Sequence, residues 1–232
     1  MTEYEFESTR ELDEALVEAV AFCLQRALAR GERASLALTA DVDLADACAG
    51  LSRQTLDWAR VEIYFTDTLS VAPGFAADAA HRLRKAFAVG DAVEASINEL
   101  RDARLGALAA MPTLVEQVQR WPWPLDVLLL TVRGDGGVAG LYPDMPALAA
   151  MLDPRWSLPL GLSRIADFEG VSLGLRSLLQ ARELFLVART SDACVALDAA
   201  LAAPARVSTP VAALLRHAPA ATARVLRLAP AP

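Results

Sequence analysis

The sequence predicts an α/β fold, a doubly wound and mainly parallel sheet with helices on both faces. Three observations predict it. Segments with helical spacing of apolar residues alternate with short β-branched or apolar runs almost from end to end. One such run, residues 127–132, carries no charge and a single hydroxyl, as a strand covered on both sides requires. Polar or glycine-rich loops follow the runs, which is where an open parallel sheet forms its ligand crevice.

In chain order, Leu12, Ala15, Leu16, Ala19, Val20, Cys23, Ala27 and Leu28 recur at helical spacing. They predict a helix over residues 9–30, closed by Gly31 as a left-handed cap. The run 34–38 reads as a strand, 39–43 as a polar loop and 44–51 as a helix. The pattern then repeats, with strand 61–65 rich in β-branched and aromatic residues, turn 66–68 and helix 76–88. A further helix occupies much of 102–121, interrupted or restarted near Pro112 and stopped by Trp121-Pro122-Trp123-Pro124. Beyond the strand at 127–132, residues 171–175 and 183–188 read as strands, 191–202 as a capped helix and 223–228 as a last strand. The expectation is a single α/β domain over 1–232, with 229–232 a frayed tail.

Composition narrows the function classes. Of 232 residues, 54% are hydrophobic and 22% charged, which fits a folded domain. A net charge of −7 and the lack of a Lys/Arg stripe argue against a nucleic-acid partner. The apolar runs are far shorter than the roughly 20 residues of a membrane helix, so no membrane span is expected. The N-terminal residues are acidic where a secretion signal would be basic and then apolar, so a cytoplasmic protein is expected. Cys23, Cys48 and Cys194 lack metal-ligand or disulfide spacing and read as buried small apolar residues, with no metal and no cofactor.

Three loops are candidates for chemistry: 39–43, 66–70 and 133–137. In the third, an apolar strand runs into Arg133-Gly134-Asp135-Gly136-Gly137 and then Val138-Ala139-Gly140-Leu141-Tyr142-Pro143. Closely spaced glycines let main-chain N–H groups approach an anion, although a tight turn without a ligand explains them equally well.

The segment 126–143 resembles the part of 6-phosphogluconolactonases in which an apolar strand leads to Asp-Gly-His and a Leu-Phe-Pro ending. Arg33-Ala34-Ser35-Leu36-Ala37-Leu38-Thr39 is similar to the first-strand segment of that family. Residues 56–65 followed by Thr66-Asp67-Thr68-Leu69 are similar to its second strand and Gly-Asp-Glu-Arg turn. Residues 172–175 through 181–187 are similar to its Thr-Leu-Thr-Leu and Leu-Phe-Leu-Val strands. The matches keep the family's order over nearly the whole chain. They imply a Rossmann-like fold shared with glucosamine-6-phosphate deaminases, and a role in the pentose phosphate pathway: hydrolysis of 6-phosphoglucono-δ-lactone to 6-phosphogluconate.

The resemblance also implies losses. Gly137 stands where the family carries its base histidine. Thr39-Ala40-Asp41-Val42-Asp43-Leu44 stands where it has a glycine-rich phosphate loop, and Leu69 matches its arginine. Asp67 and Asp135 remain as candidate catalytic groups, and Thr39, Arg133, Gly134, Gly136, Gly137 and Arg164 as candidate substrate-binding residues. Each has a plainer role available: the aspartates as turn or helix caps and the arginines as solvated surface groups. His81, on an expected helix, His217, just after an expected helix at 211–216, and Trp58, Trp121, Trp123 and Trp156, read as packing, have no assigned part. Three functions follow. One is an impaired lactonase acting on a small phosphorylated sugar lactone. Another is a catalytically inactive module that binds a sugar phosphate or a protein partner in sugar-phosphate metabolism. The last is an enzyme acting on an unphosphorylated ligand.

Overall fold

The computed structural model describes residues 1–69, 78–102, 104–165, 168–202, 208–219 and 222–229. The main sheet joins seven parallel strands in the order β1 (Thr2–Phe6), β10 (Ala223–Leu228), β9 (Ala181–Ala188), β6 (Leu125–Thr131), β2 (Ala34–Leu38), β3 (Val61–Phe65) and β5 (Ser96–Asn98). From β2 the chain winds outward through β3 to β5. It then returns to the other side of β2 at β6 and winds outward again through β9 and β10. The winding reverses between β2 and β6, so the crevice falls beyond the carboxyl ends of those strands.

Both faces of the sheet are covered, and alternate side chains of one strand serve opposite cores. Leu36, Leu38, Val127 and Leu129 pack with helices α1 (Thr9–Arg30), α2 (Ala45–Leu51) and α3 (Ala79–Phe87). Ala37, Leu128 and Leu130 pack on the other side. Their neighbours there are α4 (Ala107–Gln119), α5 (Leu148–Met151), α6 (Leu175–Leu178), α7 (Ser191–Ala202) and α8 (Pro210–His217). This double burial is why β6 carries so few polar residues. A second sheet, antiparallel, joins β4 (Asp67–Leu69), β8 (Phe168–Leu173) and β7 (Leu160–Ile165) beside the crevice. No helix among the described residues is long and apolar enough to cross a membrane.

Several expectations need correction. Gly31 is extended, with φ −146° and ψ 179°, and its N–H closes α1 on Ala27 O. Helix α4 keeps Pro112 inside it. Pro112 is exposed, as is Leu108, whose carbonyl would have accepted the missing N–H. The strand expected at 171–175 spans Phe168–Leu173 and pairs with β7 rather than joining the parallel sheet. Ser70, the first two residues of the expected helix 76–88, and 230–232 of the expected tail lie outside the described residues. Cys23, Cys48 and Cys194 are buried as expected. Trp58 and Trp121 are core residues, and Trp123 and Trp156 pack against the core's edge.

Candidate active site

The carboxyl ends of β2, β3 and β6 converge on a cleft of about 220 Å³. β2 delivers Thr39, Ala40 and Asp41, β3 runs into Asp67, and β6 brings Thr131 and Arg133. The chain returning from the glycine turn adds Ala139, Gly140 and Tyr142, and the small sheet adds Leu69 and Ile165. Beside it lies a hollow of about 380 Å³ that shares Tyr142 and Ile165 and is bordered by Asp135 and Arg164. The candidate residues therefore divide. Thr39, Asp67 and Arg133 meet in the cleft, whereas Asp135 and Arg164 border the neighbouring hollow.

Asp67 is 5% exposed. Its Oδ1 accepts the Ala40 N–H at 3.1 Å and the Thr66 hydroxyl at 2.9 Å. Burial, reinforced by the negative charge of Asp41, raises its pKa to about 6 against the opposing pull of those hydrogen bonds and of Arg133. Oδ2 accepts no hydrogen bond among the described residues. A buried carboxylate with one bound oxygen and one free oxygen, tuned toward neutrality, suits a general base.

Asp41 caps the short turn that follows β2. Its Oδ1 accepts the Asp43 N–H at 3.0 Å and its Oδ2 the Thr131 hydroxyl at 2.7 Å. Its side chain thus stands in the cleft as a fixed negative charge. The pKa of Asp43 beside it, although its surface is largely open, is raised by partial desolvation and by the charge of Asp41. Thr39 is 6% exposed, and its hydroxyl oxygen has no hydrogen-bond partner among the described residues. A buried hydroxyl left in this way at a cleft wall is rare and fits a ligand group.

Arg133 lies 5.2 Å from the centre of the Tyr142 ring, with Nε 3.5 Å from Asp135 Oδ1. Asp135 mainly braces its own turn, accepting the Gly137 N–H at 2.8 Å, and is 42% exposed at its side chain. The glycines of this turn are not part of the cleft wall. A β-carbon on Gly134 would come 2.7 Å from Asp192 of α7. One on Gly136, where φ is +77°, would come 2.7 Å from Thr209, the N-cap of α8. Their small size lets the turn pack under two helices. At Gly137 a β-carbon would meet Leu141 O at 2.8 Å and Asp135 Oδ1 at 2.9 Å.

Sequence reading missed Thr131, which fixes Asp41, and Ser163 and Ser172. Their hydroxyls donate to Gly140 O and Ala139 O at the cleft's edge. Single small polar residues inside strands carry no spacing signal that could have singled them out. A larger groove of about 730 Å³ runs between α1 and α2, where the half-buried Asp13 pairs with Arg189 just beyond β9; none of the candidate residues lines it. Among the described residues no group of three or more His, Cys, Asp or Glu is arranged to hold a metal.

Comparison with known proteins sets the chain in a family. Residues 7–223 match the family model of glucosamine-6-phosphate isomerases/6-phosphogluconolactonase. The chain belongs to this family. It is 28% identical to the 6-phosphogluconolactonase of Pseudomonas aeruginosa, over 90% of this chain and 89% of that one. It is 31% identical to that of Rhizobium meliloti, over 92% and 93%. The crystal structure of a 6-phosphogluconolactonase from Shewanella baltica superposes with a TM-score of 0.90 at 22% identity, covering 99% of this chain and 98% of that one. The resemblance read from the four sequence segments and the Rossmann-like parallel fold both stand.

Proposed function

We propose that the protein is a lactone hydrolase of the 6-phosphogluconolactonase type that uses Asp67 as its base and is inefficient at low substrate. The observation that carries this reading is the position of Asp67, buried at the strand ends with its pKa lifted to about 6 and Oδ2 unbonded. Relatives named 6-phosphogluconolactonase supply the substrate class, 6-phosphoglucono-δ-lactone. Asp67 Oδ2 takes a proton from water, the hydroxide attacks the lactone carbonyl carbon, and the ring C–O bond breaks. The proton passes to the departing ring oxygen, leaving the open-chain acid.

Inefficient hydrolysis at low substrate follows from the anchor. Asp41 stands where a phosphate would approach, and a like unit charge roughly 4 Å away costs about 4 kcal/mol at an effective dielectric of about 20. Arg133, 43% exposed and shared with Asp135, offsets only part of that. We therefore expect saturable hydrolysis with a high KM. Its kcat/KM should rise with pH through about 6 and then level off, because Asp67 must be ionised to act. In Asp67→Asn, kcat should drop about 100-fold or more. Hydrolysis by wild type no faster than buffer would end this reading.

Gly137 and Leu69 favour a second reading, a module that binds a sugar phosphate or a partner without turnover. It expects 6-phosphogluconate to raise the melting temperature while the lactone assay stays at the buffer rate.

A further inference from the structure

We propose that the turn formed by residues 138–141 is a two-donor pocket in which the main-chain N–H groups of Ala139 and Gly140 hold the substrate's carbonyl oxygen as it gains negative charge. The assignment rests on the lactone-hydrolase reading for its chemistry and on main-chain geometry for its place.

The turn is closed by two hydrogen bonds, Leu141 N–H to Val138 O at 2.8 Å and Val138 N–H to Leu141 O at 3.2 Å. Its central residues both have positive φ, 53° at Ala139 and 72° at Gly140. Two consecutive left-handed residues form one turn of left-handed helix, in which carbonyls point one way and N–H groups the other. Here both central carbonyls are accounted for: Ala139 O accepts the Ser172 hydroxyl and Gly140 O the Ser163 hydroxyl, each from the small sheet. The two N–H groups therefore face away from that sheet, and both residues line the cleft.

Both residues are buried, yet among the described residues neither N–H finds an acceptor. More than about nine in ten buried amides are paired. Two consecutive exceptions on one cleft wall, beside the unpartnered Thr39 hydroxyl, point to a ligand oxygen. Ala139 also holds a conformation that residues with a β-carbon seldom adopt. Strain of this kind persists where the surroundings enforce it, and here Ser172 does so.

The donors also adjoin the base. A β-carbon on Gly140 would come 3.0 Å from Asp67 Oδ2 and 2.6 Å from Asp67 Cβ, so only glycine lets the turn lie against the carboxylate. As Asp67 accepts the proton of water, its negative charge passes to the substrate oxygen. The total charge at this wall stays constant through the step, and fixed N–H dipoles stabilise the oxygen that receives it.

The direct test replaces Gly140 by glycolic acid, which exchanges one N–H for an oxygen at unchanged size. The expected result is a kcat lower by about 100-fold with KM within about twofold. An unchanged kcat in the folded ester protein would overturn the assignment. Ser172→Ala should lower kcat in the same selective way, and Ser172→Thr, which keeps the hydroxyl, should restore part of it. Glucono-δ-lactam, an uncharged isostere that does not turn over, supplies a reading independent of catalysis. Titrated into wild type, it should move the Ala139 and Gly140 amide protons downfield. Shifts confined to Thr39 and Asp67, or none in the cleft at saturating lactam, would overturn it too. If wild type proves unable to hydrolyse lactones, the hydrolase reading falls and the lactam spectrum alone decides the two-donor pocket.

Discussion

At the scale of single residues, Asp67 sets activity against stability. Its pKa is raised from an ordinary carboxylate value to about 6 in the folded chain. Between about pH 4 and pH 6 the folded state holds a proton that the unfolded state has released, so stability falls as pH rises through that interval and levels off above about 6. A shift of about two units corresponds to roughly 3 kcal/mol. Asp67→Asn should therefore be up to about 3 kcal/mol more stable than wild type in urea at pH 8, with the gain vanishing near pH 3.5. An equal gain at both pH values would show that ionisation is not the cause. Gly137 leads to a different prediction. Placing a histidine there forces a β-carbon against Leu141 O, the acceptor that closes the 138–141 turn. Overpacking of this kind costs about 1–3 kcal/mol. Gly137→His should melt earlier and gain no activity; a faster lactone rate would show that the turn can yield.

At the scale of elements, Arg101 ties β4 to α3. Its guanidinium donates to Leu69 O at 3.3 Å and to both oxygens of Asp78, at 3.1 and 3.4 Å, and Asp78 caps α3 through the His81 N–H. Leu69 and Ala79, next to these anchors, both wall the cleft. Arg101→Ala removes two hydrogen bonds to the nearly fully buried Asp78 carboxylate and one to Leu69 O, and it should cost about 2 kcal/mol or more, read from thermal or urea unfolding. A loss below about 1 kcal/mol would mean that the ion pair is not a structural anchor. The legible elements were those whose pattern is self-contained: α1 by its apolar stripe, β6 by the apolar run 127–130 within it, α7 and β10 by capping and run length. The strands β1, β5 and β7 escaped notice for a common reason. Each is short or polar and is a strand because a partner distant in sequence pairs with it, as β10 pairs with Thr2–Phe6.

At the scale of the whole molecule, the two cores share the strands between them, since Val127 and Leu129 serve one and Leu128 and Leu130 the other. We propose on this ground that the chain is one cooperative unit. Trp58 reports on the core under α1–α3 and Trp121 on the opposite one. Fluorine signals from fluorotryptophan at these positions should vanish at one urea midpoint; separate midpoints would mean two units. By itself the sequence determined the alternation of strands and helices, the buried central strand and the family, because periodicity and local motifs are properties of neighbouring residues. Only the tertiary structure decided that Asp67 rather than Asp135 enters the cleft, that the glycines at 134 and 136 serve packing, and that the Ala139 and Gly140 N–H groups have no acceptor among the described residues. Burial, direction and hydrogen-bond partners depend on which distant segments meet, and no spacing along the chain encodes that.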